Sequence, residues 1–575
     1  MAKSTAREIK PDRRETPTAP AAWWLRWSLP LVVAALALLV FLPALKNGFV
    51  DWDDYKTLLE NPDYRGLDWP RLRWMFTTFY MGHYQPLSWM TLGLDYLLWG
   101  MDPFGYHLTN LVLHAANAAV FYFVALRLLS LALPAAGPDG DTGLRLGAGF
   151  AALVFAVHPL RVESVAWVTE RRDVLSGLFF LLTIVCYLKG AAAKADGARR
   201  RWIASAVVLY ALSLLSKAAG MALPVVLIVL DVYPLRRLGA GGKWLGPEAR
   251  RVWLEKMPFF LLAVAFGGVA LLAQRETGAL LSLEQYPILR RAGQALFGVA
   301  FYLWKTAAPL ELSPIYEIPI RLESADWFFF GASVVVDLAI TALLIVQRRR
   351  WPALLAAWIC YLALLAPVLG FAQSGSQLAA DRYTYLACLA WAIVAGGALF
   401  RLWQSRFERA REIVVGGAAL AVIIVLGLGT LAWLETGVWR DPLTLWRHAV
   451  RVSPRASKAH NSLAIALYYR GAVLEAIEHY RTALRIDPRY KEAHNNLGVA
   501  LVKRGDAEGA VAEYRAALEI DPAYVDARYN LGNALSYRGE IDQSIEQFRE
   551  VVRIDPGHEA AKYNLQVLLE LQKKK

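Results

Sequence analysis

Long apolar runs alternate with short polar segments over most of the chain. A membrane-spanning helix needs about 20 mostly apolar residues. Stretches of this kind begin near Leu29, Phe104, Leu144, Asp173, Trp202, Gly220, Met257, Asp326, Trp351, Arg382 and Ile413. Two further apolar stretches, 86–99 and 293–310, are ambiguous. The pattern predicts an all-α, polytopic membrane helix bundle of about eleven spans over residues 29–435.

The positions of Lys and Arg predict how this bundle is oriented, because cytoplasmic loops carry an excess of positive charge. A basic N-terminus, residues 1–28, is followed by basic clusters at 189–201, 236–256, 348–350 and 401–411. These clusters all lie on one side of the membrane if neither ambiguous stretch crosses it. The N-terminus is then cytoplasmic and precedes an uncleaved anchor, and the C-terminal part lies outside. If 293–310 crosses, the last two clusters and the C-terminal part change sides.

A different periodicity occupies the C-terminal part. Proline recurs every 34 residues at Pro454, Pro488, Pro522 and Pro556, and glycine, alanine and aromatic positions keep the same period. This is the pattern of tetratricopeptide repeats, which are stacked pairs of helices. It predicts a linker at 436–456 and a repeat domain at 457–575. The domain consists of three repeats, 457–490, 491–524 and 525–558, and a capping helix at 559–575.

Equivalent asparagines recur on the first helix of successive repeats, at Asn496, Asn530 and Asn564. Repeat arrays of this kind usually bind protein. These side chains are therefore candidates to contact an extended acceptor peptide. Hydrogen bonding between the helices is the alternative.

Composition excludes several function classes. The chain has 575 residues, 57% of them hydrophobic, and a net charge of +13. The basic residues lie in short clusters between apolar runs, which disfavours nucleic-acid binding. The three cysteines, Cys186, Cys360 and Cys388, fall in apolar segments without disulfide or zinc spacing. Nucleotide-binding loops, nucleophile elbows and metalloprotease motifs do not stand out.

Asp53 and Asp54 follow within a few residues of the end of the first apolar run. Carboxylates beside the hydrocarbon boundary are costly to desolvate, so they are usually kept there for binding or chemistry. A carboxylate at this place can accept the proton of an attacking hydroxyl. The pair can also hold a divalent cation. A solvated acidic turn is the structural alternative, and the preceding Asp51 leaves open which carboxylate acts.

Four polar residues lie in the apolar segment that starts near Phe104: His107, Asn110, His114 and Asn117. Their spacing places them on one helix face. Polar groups inside a membrane usually face the interior of the bundle. Hydrogen bonding between helices is the favoured interpretation, ahead of a metal site, because the same helix supplies no nearby carboxylate.

Arginine is dense in an expected outer loop, at Arg161, Arg171 and Arg172. The positive-inside rule disfavours this placement, so a favourable contact must offset it. Guanidinium groups suit a phosphate partner, and ion pairs with carboxylates of the same loop are an equal alternative. Lys217 and Arg382 are further basic residues at outer helix ends, where snorkelling to the interface is the simplest explanation.

Several short motifs occur in a fixed order before the repeats: Trp52-Asp53-Asp54, His83-Tyr84-Gln85-Pro86-Leu87, His158-Pro159-Leu160-Arg161-Val162-Glu163-Ser164, Arg172-Asp173-Val174-Leu175, Ser216-Lys217, Leu312-Ser313-Pro314 and Asp381-Arg382-Tyr383. In this order they resemble the transmembrane and tetratricopeptide-repeat family of O-mannosyltransferases and its bacterial relatives. The resemblance covers nearly the whole chain. It departs from the family at Asp381, where Glu is frequent, and in the short repeat array.

The resemblance implies a GT-C type membrane glycosyltransferase. Such an enzyme takes a sugar, mannose or another hexose, from a polyprenyl-phosphate carrier and passes it to Ser or Thr of a protein outside the cytoplasm. The acidic pair of the first outer loop is the family's catalytic motif, which maps onto Asp53 and Asp54. The lipid phosphate would be held by basic residues: Arg161, Arg172, Arg382 and Lys217. The resemblance implies no firm cofactor, and a divalent cation stays an alternative.

Two other functions are compatible with the sequence. The first is transfer to a glycan or lipid acceptor, which the repeats disfavour because such arrays usually bind protein. The second is a non-catalytic membrane scaffold, which leaves the outer arginines unexplained. Richness in Ala, Leu and Arg indicates a bacterial inner-membrane protein with periplasmic repeats. In a eukaryote the outer side would be the lumen of the endoplasmic reticulum.

Overall fold

The computed structural model describes residues 23–133, 140–239, 244–278, 280–319, 323–373, 375–404 and 410–574. Most of the basic segment 1–28 lies outside these residues, as do Arg406 and Arg409 of the last basic cluster. Within them the chain is helical, apart from one antiparallel pair of short strands, β1 (Tyr316–Glu317) and β2 (Gln377–Ala379). The predicted all-α membrane bundle followed by a repeat solenoid is confirmed.

The described helices of the membrane part are α1 (Trp23–Phe41), α2 (Trp69–Thr77), α3 (Pro86–Trp99), α4 (Pro103–Ala132), α5 (Gly140–Ala156), α6 (Val162–Ala166), α7 (Arg171–Ala192), α8 (Asp196–Ser216), α9 (Leu223–Val232), α10 (Pro247–Glu276), α11 (Ile288–Ala307), α12 (Ser324–Val346), α13 (Pro352–Leu365), α14 (Thr384–Ala387), α15 (Leu389–Trp403) and α16 (Ala410–Thr436). Short 3₁₀ turns join many of them, at Leu42–Lys46, Tyr80–Gly82, Pro159–Arg161, Val168–Glu170, Ala218–Ala222, Ala366–Val368 and Asp381–Tyr383. A single π turn follows the acidic pair, at Tyr55–Leu59.

Six helices of the described residues are long and apolar enough to cross a membrane: α1, α4, α7, α10, α12 and α16. Two bent pairs, α5 with α6 and α14 with α15, raise this number to eight if each pair is one span, and each bends by 57°. The eleven predicted starts all fall on or beside helices. The count of spans is lower because α9 and α13 are only 10 and 14 residues long, and α8 begins with the basic residues of its loop. An apolar run does not reveal where a helix breaks.

The ambiguous stretch 293–310 forms most of α11, and both ends of this helix contact the same loop region. Near its start, Arg291 donates to the carbonyl of Phe371 at 2.7 Å and Gln294 donates to that of Leu378 at 3.2 Å. At its end, Thr306 accepts from His158 through its carbonyl at 3.0 Å. The loop that follows Phe371 leads directly into Asp381–Tyr383, which is beside His158 in the fold. Helix α11 therefore begins and ends at one end of the bundle.

Helix α4 and the helix that starts at Pro442 each begin at an Asp-Pro pair, for a local reason. Asp102 accepts from the backbone N–H of Phe104 at 3.0 Å and so caps α4, and Asp441 does the same for Thr444 at 3.0 Å. The following proline is suited to the first helical position because its missing N–H would have no partner there. The break between α5 and α6 has a related cause, since Pro159 forces the preceding His158 into an extended conformation.

The soluble part consists of α17 (Pro442–Val452), α18 (Ser457–Tyr469), α19 (Val473–Ile486), α20 (Lys491–Arg504), α21 (Ala507–Ile520), α22 (Val525–Tyr537), α23 (Ile541–Ile554) and α24 (Glu559–Lys574). Glycine keeps the repeat period for two reasons. Gly505 ends α20 in the left-handed region, at φ +91°. Gly498 lies so close to the Tyr514 ring that a Cβ there would come within 2.5 Å of it.

The expected linker 436–456 is folded. A 3₁₀ turn, Gly437–Arg440, leads into α17, and both pack between the bundle and the repeats. His448 donates to the carbonyl of Leu312 at 2.7 Å. Ser457 donates to the Glu317 carboxylate at 3.1 Å. The repeats are therefore held against the end of the bundle that carries the acidic pair.

Candidate functional site

Asp54 is a buried anchor of the first loop. Its Oδ1 accepts from the backbone N–H and the hydroxyl of Thr169, at 3.0 and 2.6 Å, and its Oδ2 accepts from the backbone N–H of Val50 at 3.1 Å. Burial raises the pKa of Asp54 to about 7, although these hydrogen bonds oppose the shift. With its oxygens committed to the protein, Asp54 positions the loop.

Asp53 has a different environment. Its side chain is half-buried, and among the described residues no group hydrogen-bonds or ion-pairs with its carboxylate. Burial raises the pKa of Asp53 above its ordinary value, while the nearby Arg172 and Arg382 oppose that shift. Of the acidic pair, Asp53 is therefore the carboxylate that is free to accept a proton.

Three basic side chains converge on the buried carboxylate of Glu170. Its oxygens accept from Arg172 Nη2 at 2.6 Å and from Lys217 Nζ at 2.7 Å, and Arg382 Nε lies 3.3 Å away. Arg382 also pairs with Glu163, and Lys217 pairs with Asp173 at 2.7 Å. We call these six residues the Glu170 cluster: Glu163, Glu170, Arg172, Asp173, Lys217 and Arg382. Three carboxylates thus balance three cations.

Broken helices bring the cluster together. Glu163 lies on α6, just after the bend at Pro159, and Arg382 lies in the 3₁₀ turn before α14. The Arg382 backbone N–H donates to Glu163 at 2.7 Å, so the two bent pairs meet at this contact. Irregular backbone at membrane depth is tolerated where it is buried in protein or lines a cavity. The bends place charged side chains at the end of the bundle beside Asp53.

Arg161 is not part of this cluster, although it was grouped with Arg172, Arg382 and Lys217 as a phosphate ligand. Its guanidinium donates to Thr384 Oγ1 at 3.0 Å and lies over the rings of Phe155 and Tyr385. The bend at Pro159 turns this side chain towards α15 and away from Glu170. The structure therefore brings together three of the four expected residues.

A small cavity of about 60 Å³ adjoins the cluster. Arg172, Lys217 and His83 line one side of it, and Phe266 and Val269 of α10 line the other. The loop that carries His83 is fixed by Gln274, which donates to the carbonyl of Gly82 at 2.7 Å. Burial and the charge of Arg172 hold the pKa of His83 well below its usual range, so this ring is neutral. The cavity therefore combines basic and neutral hydrogen-bonding groups with an apolar wall.

The polar residues of α4 bind neighbouring backbone and side chains. Asn110 donates to the carbonyl of Trp167 at 3.2 Å. His114 pairs with the Tyr385 hydroxyl at 2.9 Å, and Asn117 donates to the same hydroxyl at 2.8 Å. His107 is buried on the same face. These contacts hold α6, α7 and α14 against α4, and so position the segments that carry the cluster.

The repeat asparagines form a ladder between successive first helices. Asn496 donates to Asn461 at 3.1 Å, Asn530 to Asn495 at 2.9 Å, and Asn564 to Asn533 at 3.0 Å. Each of the three side chains is half-buried. Each amide nitrogen is thus engaged between helices, and the Asn496 Oδ1 also accepts from Asn495 at 3.5 Å.

Sequence reasoning missed several residues at the site. Glu170 is expected only among the carboxylates that form local ion pairs, and Arg171 only among the arginines of an outer loop. The structure instead buries Arg171 and pairs it with Asp95 at 2.6 Å. His83 entered only as part of a motif. The signal in the sequence that could have found these residues is the density of charge in an apolar chain. Buried charges must be paired, so such a density predicts ion pairs. Sequence alone does not say which pairs form.

No arrangement of three or more His, Cys, Asp or Glu side chains suited to a metal ion occurs in the part of the chain that the structure describes.

Comparison with known proteins supports both parts of the fold. The family described as TPR repeat matches residues 464–505 and 500–536, and the family described as Tetratricopeptide repeat matches residues 525–558. The predicted repeat solenoid is thereby confirmed at the sequence level.

The chain is also similar to proteins named protein O-mannosyl-transferase. It is 33% identical to tmtc2 of Xenopus laevis over 221 residues, which are 36% of this chain and 24% of that protein. It is 26% identical to TMTC1 of Homo sapiens over 503 residues, 78% of this chain and 54% of that protein. F38B6.6 of Caenorhabditis elegans is 23% identical over 471 residues, 78% of this chain and 61% of that protein.

The chain thus spans less than two thirds of the length of these relatives, between 24% and 61%. The resemblance to the transmembrane and tetratricopeptide-repeat O-mannosyltransferases, first indicated by the order of short motifs, is confirmed.

Proposed function

Starting from this relationship to the protein O-mannosyl-transferases, we propose that the chain is a membrane glycosyltransferase. It transfers mannose or another hexose from a polyprenyl-phosphate carrier to Ser or Thr of a protein on the extracytoplasmic side. The observation that carries the proposal is the uncommitted Asp53 carboxylate beside Arg172 and Arg382. Such a site offers a base and positive charge in one place.

Asp53 acts as the general base. The acceptor hydroxyl oxygen attacks the anomeric carbon while the bond from that carbon to the phosphate oxygen breaks, and the hydroxyl proton passes to Asp53. A raised pKa makes Asp53 a stronger base than an ordinary aspartate, which suits this task. A single displacement of this kind inverts the anomeric configuration. Asp54 does not react; it positions the loop.

The leaving phosphate needs positive charge rather than a proton. Arg172 and Lys217 line the small cavity, and Arg382 lies beside them in the cluster. An ammonium group has three donors, and Lys217 uses two of them on Glu170 and Asp173. The carboxylates therefore hold the cations in place and leave N–H groups for the phosphate. The reaction proposed here uses no resident cofactor.

The repeats present the acceptor protein. They are docked against the end of the bundle that carries Asp53, with Trp446 of α17 in contact with Trp52. An extended peptide in the repeat groove would pass the half-buried oxygens of Asn496, Asn530 and Asn564. Basic residues of two other loops lie at the opposite end, where Glu255 pairs with Arg199 and Arg237. The positive-inside rule supports a cytoplasmic side at that end, and the repeats are accordingly proposed to lie in the periplasm or the lumen of the endoplasmic reticulum.

The test is transfer by the purified full chain in lipid nanodiscs. Radiolabelled undecaprenyl-phosphate mannose and dolichyl-phosphate mannose serve as donors, and a library of Ser/Thr peptides serves as acceptor. We expect label on hydroxyl residues of peptides, no change on addition of a chelator, and no transfer by Asp53→Asn. Asp526→Asn, an exposed carboxylate of the repeats, is the matched control.

Two outcomes would contradict the proposal. Full transfer by Asp53→Asn would remove the assigned base. Label that appears on lipid or glycan, with none on any peptide, would identify another acceptor class. Mass spectrometry of exported glycoproteins, from cells with and without the chain, provides the same distinction in vivo.

A further inference from the structure

A largely apolar groove of about 460 Å³ lies between α5, α15 and α16. Its walls are formed by side chains such as Phe150, Leu399, Ala421 and Ile424. Along α15 the lining residues run from Trp391 to Leu402, a length of about 16 Å at 1.5 Å per residue. Several of these side chains are exposed on the outside of the bundle, where the bilayer lies. The groove has the shape and polarity to hold one hydrocarbon chain.

Arg161 lies at one end of the groove. The side chain is 1% exposed, and its Nε and Nη1 have no hydrogen-bond partner. Its contacts are the Thr384 hydroxyl, the Cys388 thiol and the faces of two aromatic rings. Among the described residues no carboxylate lies within ion-pair distance of Arg161. The neighbouring His158 offers no further donor, because its Nε2 donates to the Thr306 carbonyl.

This isolation sets Arg161 apart from the other buried arginines of the site. Arg171 pairs with Asp95, Arg172 with Glu170, and Arg382 with Glu163. A buried cation without a counter-charge is strongly unfavourable. An anion that enters along the groove would supply the partner that Nε and Nη1 of Arg161 lack.

We propose that this groove is a lipid site, which binds one anionic glycerophospholipid of the bilayer with its phosphate on Arg161 and one acyl chain between α5, α15 and α16. The charge of one phosphodiester matches that of the Arg161 guanidinium. The walls are largely apolar, and Arg161 lies at the end of the groove where α5 ends and α15 begins. The groove lies apart from the residues proposed for transfer, and the choice of a phospholipid over the sugar donor rests on that proposed function.

The position of the groove favours a phospholipid over the sugar donor. A donor must present its reacting carbon to Asp53, and the cations that act on Asp53 are Arg172 and Arg382. The small cavity beside Arg172 and Lys217 and the groove beside Arg161 share no lining residue. A lipid with its phosphate on Arg161 therefore occupies a different place from the leaving phosphate.

Native mass spectrometry of the full chain, released from nanodiscs of phosphatidylglycerol and phosphatidylcholine, tests this site. We expect one phosphatidylglycerol per chain. Ala421→Phe fills the groove without changing any charge, and Arg161→Gln removes the cation. Arg161→Gln should lower retention about ten-fold, the factor expected for the loss of one charge-assisted hydrogen bond. Ala421→Phe should also lower retention, because its ring takes the place of the acyl chain. Ala419→Phe, exposed on the same helix and outside the groove, should retain the lipid as the wild type does.

The same measurement can overturn the proposal in two ways. If added undecaprenyl phosphate replaces phosphatidylglycerol, and Ala421→Phe abolishes its retention, the groove takes the prenyl carrier and not a phospholipid. If no lipid is retained, or Ala421→Phe retains as much phosphatidylglycerol as Ala419→Phe, the groove is not a lipid site. Because Ala421→Phe leaves Arg161 in place, the test does not depend on the folding of Arg161→Gln.

Discussion

Thr169 holds Asp54 through two hydrogen bonds, one from its backbone N–H at 3.0 Å and one from its hydroxyl at 2.6 Å. Thr169 directly precedes Glu170, so this contact fixes the first loop to the carboxylate on which three cations converge. The two adjacent aspartates therefore have different roles. Asp54 connects the loop to the cluster, and Asp53 faces the cluster with a free carboxylate.

Single substitutions of the pair should separate these roles. Asp53→Asn removes the base and should lower kcat by about 10²–10⁴ without changing the thermal unfolding temperature. Asp54→Asn keeps the base but disturbs buried hydrogen bonds to a charged group, which contribute about 1.5–3 kcal/mol each. It should lower the unfolding temperature and retain measurable transfer. Transfer rates and unfolding curves of both variants in nanodiscs check this, and identical behaviour of the two would contradict it.

Asp53 should also determine the acid limb of the pH–rate profile. Burial raises its pKa, so activity should fall at a higher pH than for an ordinary aspartate. The charge of Arg172 opposes that shift. Arg172→Gln should therefore move the acid limb to still higher pH at saturating donor, whereas Arg172→Lys, which keeps the charge, should leave it near the wild-type position. A limb that moves to lower pH in Arg172→Gln would exclude Asp53 as the titrating base.

Asp54 gives a second, independent dependence on pH. Its pKa is about 7 in the folded protein and near 3.8 when exposed, so the folded state binds this proton more tightly. The free energy of unfolding should then decrease as the pH rises from about 4 to about 7, by at most about 1.4 kcal/mol per pH unit for one proton. Unfolding temperatures measured across this range should show the trend in wild type. The trend should be weaker in Asp54→Asn, and an equal slope in both would contradict the assignment.

Glu170→Gln should be among the most damaging single changes. It leaves Arg172 without its ion-pair partner and weakens the contacts of Lys217 and Arg382. Removing one member of a buried ion pair costs about 3–5 kcal/mol. Chemical unfolding in detergent should show this loss. Glu284→Gln, which changes an exposed glutamate in the same way, should have no measurable effect.

Sequence reasoning reached the elements that depend on local pattern. The 34-residue period located the repeats, because each repeat must place the same small residues where helices approach, as Gly498 does against Tyr514. Apolar runs located the membrane helices, because such a run is likewise a local pattern in the sequence. The position of Asp53 and Asp54 after the first span was also visible, since the cost of burying charge near a membrane does not depend on the fold.

Other features depend on contacts between distant segments, which sequence pattern does not encode. Thr169 is 115 residues from Asp54, so the division of roles within the pair could not be predicted. Arg161 and Arg172 lie close in sequence, but in the fold Arg172 contacts Glu170 whereas Arg161 contacts Thr384. The central position of Glu170 follows from the meeting of two broken helices, and no periodicity marks such a break.

The contact between α17, which precedes the repeats, and the loop of Asp53 carries the last prediction. The buried ring of Trp446 lies 5.0 Å from that of Trp52, next to Asp53, and its Nε1 donates to the carbonyl of Asp51 at 3.2 Å. If α17 holds this loop in place, Trp446→Ala should cost about 3–5 kcal/mol of stability and lower kcat for every acceptor, including a single soluble peptide. Tyr537→Ala, which truncates an exposed aromatic of the repeats, is the control.

Short and long acceptors distinguish two roles of the repeats. If the repeats only deliver the acceptor, Trp446→Ala should raise KM for long acceptors and leave kcat for a short peptide unchanged. A fall in kcat with the short peptide shows that α17 also positions Asp53, because that substrate does not need the repeat groove. Trp446→Phe, which keeps a ring against Trp52 but loses the N–H donor, should fall between wild type and Trp446→Ala in both stability and kcat.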